Sequence, residues 1–255
     1  MAANQFADLT ADEFAGKFCG CAKPVDMEVK YEIVENDIPE AIDWREKGAV
    51  SPVKDQGACG SCWTFSTTGT LESTNYIKTG VMTLLSEQQI VDCAKGSKYP
   101  NYGCSGGWPH SALDYAKDVG LCTEDDYPYT AKDGGCHDST CEKVVKVKSY
   151  KTLPQGDEKA LAAAVAITPV SIVLDASAMQ LYSSGIIDKC TDNINHAVLA
   201  AGYGEENGIK YWIVKNSWGT SWGENGYCRI QKDTGGMGMC AITYSSVFAD
   251  ELEDL

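Results

Sequence analysis

The chain has 255 residues, 44% hydrophobic and 22% charged, with a formal net charge of −15 and a sequence pI near 4.5. This is globular stock, which excludes general disorder, and the length suits one large domain or two small ones. The acidic balance argues against a nucleic-acid or anionic-membrane partner, either of which needs a clustered basic face, and no apolar stretch approaches a spanning helix.

Twelve cysteines point to a disulfide protein of an oxidising compartment, lysosomal, vacuolar or secreted. The start, Met1-Ala2-Ala3-Asn4, has neither a basic n-region nor an apolar h-region, so it is not a signal peptide. With that cysteine count, it suggests a chain truncated at its N-terminus.

Residues 1–37 hold eight acids and three bases, no tryptophan and little apolar periodicity, and a boundary is expected near Asp37. Within them Thr10-x-x-Glu13 reads as a capping box for a short helix. Ser61 is placed to cap a helix from Cys62 to about Lys78, ended by Thr79-Gly80. Ser86-x-x-Gln89 reads as a second capping box. Pro109 suits a first helical turn, and Gly120 suits the stop that follows Ala112, Leu113, Tyr115 and Ala116. The last hundred residues read mostly as strand: runs beginning at Val170, His196, Lys210 and Gly226, with one alanine-rich helix from Glu158 to about Ala166. Helices first and strands later predict an α+β protein in two lobes.

Chemistry concentrates in Gln56-Gly-Ala-Cys59-Gly-Ser-Cys62-Trp63. A nucleophilic thiol needs a lowered pKa, which a helix N-terminus helps to supply, and Cys62 sits where such a helix begins. A base must come from His110, His137 or His196. His137 lies in a Gly-, Asp- and Cys-rich loop and reads as a solvated residue, and His110 reads as a surface residue at a helix start. His196 opens an apolar strand, where a core histidine is the plain reading and a functional ring the sharper one. In Lys215-Asn216-Ser217-Trp218-Gly219, the Asn216 amide could hold one imidazole nitrogen so that the other faces the thiol, with Trp218 shielding that bond.

These segments together resemble a papain-family cysteine protease of the cathepsin L type, whose signature is C-G-[SA]-C-[WY] with His and Asn roughly 130–150 residues downstream. Further landmarks follow in order: Ile38-Pro39-Glu40-x-x-Asp43-Trp44-Arg45, Leu85-Ser86-Glu87-Gln88, Cys104-Ser105-Gly106-Gly107, Tyr127-Pro128-Tyr129 and Trp218-Gly219-x-x-Trp222-Gly223. Asn4-x-Phe6-x-Asp8 is similar to the end of a propeptide motif. The resemblance implies a papain-like fold with a helical lobe, an antiparallel barrel-like β lobe and an active-site cleft between them. It divides the chain into 1–37, a remnant of an inhibitory propeptide, 38–148, the helical lobe, and 149–255, the β-rich lobe.

The same resemblance implies thiolate attack on a peptide carbonyl. Cys62 would be the nucleophile, His196 the proton carrier and Asn216 its orienting partner. The Gln56 side chain and the Cys62 backbone N–H would form the oxyanion hole, and no cofactor or metal is called for. Gly106 and Gly107 would offer backbone to an extended substrate, with Asn195 and Trp218 at the cleft. Trp108, Pro109, Val173, Ala197 and Ser245 would line an apolar pocket for the second residue before the cut (P2). Expected partners are protein and peptide substrates, the chain's own propeptide and cystatin-like inhibitors, with the enzyme a monomer. Thr64, Asn195 and Cys228 depart from common family residues without removing a catalytic group.

By resemblance the disulfides are Cys59–Cys104, Cys93–Cys136 and Cys190–Cys240, with Cys122 and Cys141 a further candidate pair. Cys62 must stay free, Cys228 is expected as a small buried hydrophobe, and Cys19 and Cys21 fall in the prosegment. A thioredoxin-like redox pair at Cys59-x-x-Cys62 lacks its βαβ context, and a zinc module lacks a second C-x-x-C or a paired histidine spacing. A non-catalytic homologue should have lost Cys62, His196 or Asn216, and all three are present.

Overall fold

The computed structural model describes residues 4–21 and 38–255; the expected boundary near Asp37 lies outside them. Helix α1 (Ala11–Phe18) begins at the capping box read from the sequence: Glu13 N–H donates to Thr10 Oγ1, and Thr10 N–H donates to the Glu13 carboxylate. Strand β1 (Ile42–Asp43) follows, then three helices of the first lobe, α2 (Cys62–Thr79), α3 (Glu87–Cys93) and α4 (Pro109–Asp118). Gly80 ends α2 at φ 75°, a left-handed stop that a side chain would strain. At α3, Ser86 Oγ does cap Gln89 N–H, but the box is only half made. The Gln89 side chain instead donates to Gly120 O and Tyr115 Oη and accepts from Cys122 N–H, tying α3 to α4.

The second lobe carries β2 (Val147–Thr152), α5 (Glu158–Ile167), β3 (Val170–Leu174), β4 (Ile186–Ile187), β5 (His196–Glu206), β6 (Ile209–Lys215), β7 (Tyr227–Gln231) and β8 (Ser245–Leu252). They form one sheet in the order β2-β8-β3-β5-β6-β7-β4, with β1 pairing β5 off that path. The pairings are antiparallel except β4 with β7, a correction to the all-antiparallel expectation. Strand β2 runs unbroken from Val147 to Thr152, across the expected division at 148/149.

The two lobes meet along α2. Its first twelve residues, Cys62 to Ser73, are all buried, so this helix has no solvent stripe there and its apolar periodicity is weak. Hydroxyl groups do the docking. Ser66 Oγ lies 2.6 Å from both Val198 O and Ser171 Oγ, and Thr70 Oγ1 donates to Pro169 O at 2.7 Å. Gly69 lets β5 come close, since a Cβ there would meet the Leu199 side chain at 3.1 Å. Apolar clusters flank this seam, one around Trp63, Leu113 and Tyr115, the other around Trp212, Trp222 and Phe248.

Disulfides join Cys59–Cys104, Cys93–Cys136, Cys190–Cys240 and also Cys122–Cys141. Cys228 is buried within β7, as its apolar reading required. Ser66→Ala should cost about 1–3 kcal/mol in denaturant unfolding, because it strands the buried Val198 carbonyl and Ser171 hydroxyl. A loss within experimental error would show that the hydroxyl contributes nothing to docking.

Candidate active site

Cys62 opens α2 and has no accessible surface. Ser61 stands at the N-cap as expected, but its hydroxyl meets Tyr129 Oη at 2.5 Å instead of capping the helix. The first turn of α2 therefore keeps its positive end directed at the thiol. Burial pushes the Cys62 thiol up. A hydrogen bond from the Cys21 thiol, the charge and hydrogen bond of His196, and the Ala197 N–H at 3.4 Å outweigh it, leaving Cys62 well below an ordinary thiol.

His196 is the first residue of β5 and is fully buried. Its Nε2 lies 2.8 Å from Asn216 Oδ1, which also accepts Ser217 N–H at 2.8 Å. The Trp218 ring stacks on the imidazole with centroids 4.6 Å apart and covers that bond. His196 Nδ1 is buried without a conventional hydrogen-bond partner, on a ring whose charge acts on Cys62. Gln56 is fixed by Ser217 Oγ, which donates to its Oε1 at 2.7 Å, and by Tyr129 Oη, which donates to its backbone carbonyl at 2.8 Å. The Gln56 Nε2 amide donates to Cys59 O at 2.8 Å and to Phe18 O at 3.1 Å.

That last contact brings the N-terminal segment into the cleft. The Phe18 carbonyl also accepts from Trp218 Nε1 at 3.2 Å. Gly20 O accepts Gly107 N–H at 2.9 Å, and Cys21 N–H donates to Asn195 O at 3.1 Å. A Cβ on Gly20 would run into the Gly60 backbone, and one on Gly107 would lie 2.6 Å from the Trp63 ring, so both glycines are close-approach positions. Gly106 needs glycine as well, at φ 112° with Gly20 O 2.9 Å from its would-be Cβ. Phe6, Phe14 and Phe18 pack together, and Phe6 and Phe14 meet the edge of Trp218 at 5.3 and 5.1 Å. Sequence reasoning missed Ser217, Tyr129 and the Phe18 carbonyl as parts of the site. The Asn-Ser-Trp and Tyr-Pro-Tyr runs marked the first two, but a backbone carbonyl has no sequence signature.

The expected P2 residues come together. Val173 sits in register between Ala197 of β5 and Ser245 of β8, and all three are buried with Trp108. Asn195 serves the cleft through its carbonyl, while its Oδ1 accepts Ala176 N–H at 2.9 Å. His137 is exposed and stacks on Tyr127 with centroids 4.1 Å apart. His110 is less of a surface residue than expected: it is half-buried beside Trp108, its Nδ1 is buried, and desolvation pushes its pKa down.

Residues 38–249 match the Papain family cysteine protease model. The chain belongs to the papain family of cysteine proteases. It is 46% identical over 240 residues to oryzain beta chain of Oryza sativa subsp. japonica, covering 90% of this chain and 51% of that protein. It therefore spans about half the length of that relative. A recombinant stem bromelain precursor superposes with a TM-score of 0.88 at 39% identity, covering 97% of this chain and 82% of the precursor. Bromelain from Ananas comosus in complex with the E64 inhibitor gives 0.78 at 42% identity, over 82% and 98% of the two chains. The papain-like α+β fold is thus shared with a proform over nearly the whole chain.

Within this papain-family frame the departure at Thr64 is benign, because its hydroxyl donates to Ser61 O at 2.9 Å inside the first turn of α2. Beneath the site lies a buried ionic cluster. Lys54 Nζ contacts Glu72 Oε1 at 2.9 Å and Glu87 Oε1 at 2.6 Å, while Lys215 Nζ donates to Ser51 Oγ at 2.8 Å and burial pushes its pKa down to about 8. Glu124 Oε1 accepts Tyr129 N–H, and Oε2 of Glu124 and Oε2 of Glu87 are both buried with no conventional partner. Burial first, then the Glu87 charge and a hydrogen bond between the two carboxyls, raises Glu124 from 4.5 to about 7.

A raised carboxyl binds more protons folded than unfolded between these two values, so its protonated state stabilises the fold and stability falls as pH rises from 4.5 through 7. Glu124→Gln should flatten that part of the stability–pH curve and raise stability at pH 8 by on the order of 1–2 kcal/mol, discounted for partial exposure. Denaturant melts of both proteins at pH 5 and pH 8 test this, and parallel curves would refute it.

Proposed function

We propose that this chain is a cysteine endopeptidase in which Cys62 attacks the scissile peptide carbonyl. The observation that carries the reading is the buried line Asn216–His196–Cys62, with the Gln56 amide beside it. His196, held at Nε2 by Asn216, presents Nδ1 to the sulfur, keeps the thiol ionised and later hands its proton to the leaving amine. Attack places negative charge on the carbonyl oxygen. The Gln56 Nε2 amide and the Cys62 backbone N–H then stabilise it where it develops, with Ser217 holding the amide in advance. The acyl-enzyme formed on Cys62 is released by water, for which the same histidine takes the proton.

Residues 1–37 act in this reading as an inhibitory prosegment that must leave. Its Phe18 carbonyl takes the Gln56 amide, and its Gly20 and Cys21 backbone groups use Gly107 N–H and Asn195 O, the donors and acceptor an extended substrate needs. Four disulfides suit work in a lysosome-like, vacuolar or extracellular compartment. By family, cystatin-like inhibitors and E64-type epoxides are ligands of the freed cleft.

The pocket of Trp108, Pro109, Val173, Ala197 and Ser245 supports a bulky apolar P2 residue. Burying a Leu or Phe side chain there gains roughly 1.5–3 kcal/mol, whereas an arginine would be desolvated with no carboxylate facing it. After removal of the segment, a Phe-Arg fluorogenic substrate should exceed Arg-Arg in kcat/KM by at least about tenfold, or about 1.4 kcal/mol. Ser245→Glu should raise the Arg-Arg rate. Equal rates on the two substrates would reject the pocket.

The segment-free enzyme should be alkylated at Cys62 well below the ordinary thiol value of 9.0, because His196 stays when the Cys21 hydrogen bond leaves. Alkylation that titrates like a free thiol would reject the pairing.

A further inference from the structure

Four cysteines are free among the described residues: Cys19, Cys21, Cys62 and Cys228. Cys228 is buried in β7, but the other three converge on one place in the cleft. The segment turns there through Gly20, pressed on the Gly60 backbone, and Cys21 is then held on both sides. Its N–H donates to Asn195 O at 3.1 Å and it bridges Gly107, which lays it across the cleft beside Asn195, two residues from Ala197, whose N–H lies 3.4 Å from Cys62 Sγ. Cys62 has no exposed surface, whereas Cys21 is partly exposed at the cleft mouth. Cys19 is buried against the apolar core on the other side of Gly20, within the electrostatic reach of Cys62 but with no hydrogen bond to it.

We propose that Cys21 and Cys62 are a dithiol that a low-molecular-weight disulfide oxidises to an intramolecular bridge, tethering the N-terminal segment covalently across the cleft. The proposal rests on the reading of Cys62 as the reactive thiol. Two thiols held in one cleft have a high effective concentration for each other, so a mixed disulfide on either is resolved by its neighbour before a second external molecule arrives.

The exchange balances. Cys21, partly exposed, gives its proton to the Cys62 thiolate and attacks one sulfur of RSSR, releasing RS⁻. Cys62 then loses that proton and displaces the second RS⁻ from the Cys21 sulfur. Two thiols of the protein are oxidised and one RSSR is reduced, and the two protons, one from Cys21 and one held on His196 opposite the Cys62 thiolate, leave on two RSH. A thiol reductant reverses both steps.

Such a bridge changes what cleavage of the chain achieves. A cut between Cys21 and the family-like start at Ile38 would ordinarily free the segment, but in the oxidised protein it leaves the segment attached and Cys62 capped. Activation then needs both a cut and a reductant.

The test uses the 255-residue chain treated with oxidised glutathione. Peptide mapping without reductant should find the Cys21 peptide joined to the Cys62 peptide, with alkylation of Cys62 in the denatured chain lost and fully recovered in dithiothreitol. After acid incubation, the segment should stay attached on a non-reducing gel and separate on a reducing one. Cys19→Ser should keep the bridge. Cys21→Ser should leave Cys62 unmodified while the segment covers it, and should release its segment without reductant.

Glutathione on Cys62 of the unsubstituted chain while Cys21 stays free, a Cys19–Cys62 bridge, or an unmodified Cys62 would each overturn the proposal, and none requires a variant to fold. Peptide hydrolysis by the reduced, segment-free enzyme is measured alongside. Hydrolysis without the bridge removes the tether alone, whereas the bridge without hydrolysis upholds the tether and removes the peptidase reading.

Discussion

Cys62 and His196 come from different lobes, and one docking event sets their distance. Cys62 rides on the first turn of α2, and His196 on the first residue of β5, so their approach is set by how α2 lies against β3 and β5. That contact is made by small groups. Ser66, Thr70 and the bare Cα of Gly69 let helix and sheet come within side chain-to-backbone hydrogen-bond range, where leucines would hold them further apart. Each such bond is worth only about 0.5–1.5 kcal/mol net, but breaking one strands a buried acceptor at about 1–3 kcal/mol. The seam thus resists sliding more than its net stability suggests, and a fraction of an ångström at this seam decides whether sulfur and imidazole can pair.

Charge underneath the seam adds direction to that constraint. Glu72, Glu87 and Lys215 are buried, with Lys54 half-buried beside them, where α2, α3 and the end of β6 converge, joined through Ser51 and Thr68. Buried ion pairs of this kind cost about as much to desolvate as they return, so their value here is positional. Lys215 is the residue before Asn216, and anchoring its side chain across the lobes holds the backbone that presents Asn216 Oδ1 to His196. Tyr129 reaches from the same region to the Gln56 carbonyl, so the Gln56 amide and the Asn216–His196 contact stand on one buried polar base. The Glu87–Glu124 carboxyl contact belongs to that base, which is why protonation there bears on the fold.

Much of this was legible because chemistry needs particular side chains. Cys62 at a helix start, Asn216 two residues before Trp218 and the Gln56 run could be read directly, and the start of α2 and the whole of β3 followed from periodicity and caps. What escaped had physical causes. Strand β8 ends in Asp-Glu-Leu and was not among the strands read from the sequence, yet its first residues are buried between β2 and β3, where tertiary pairing overrides propensity. Ser61 carries a capping residue's side chain, but the competing Tyr129 hydroxyl takes it. Nothing local announces that Glu72 will be buried beside Lys54, so the sequence carried no signal for this cluster.

The N-terminal segment shows why backbone chemistry escapes a reading of side chains. Its anchors on the cleft are the carbonyls of Phe18 and Gly20 and the N–H of Cys21, groups that every residue owns. Side chains decide only whether the backbone may come that close. Gly20 is required because the Gly60 backbone occupies the space of a Cβ, and the phenylalanines hold α1 against Trp218, the ring that also covers His196. The same indole therefore shields the histidine from water, donates to the Phe18 carbonyl and forms the platform on which the segment rests. Loss of the segment would expose that platform and the Gln56 amide together. The cleft cannot open to a substrate without uncovering the groups that would hold it.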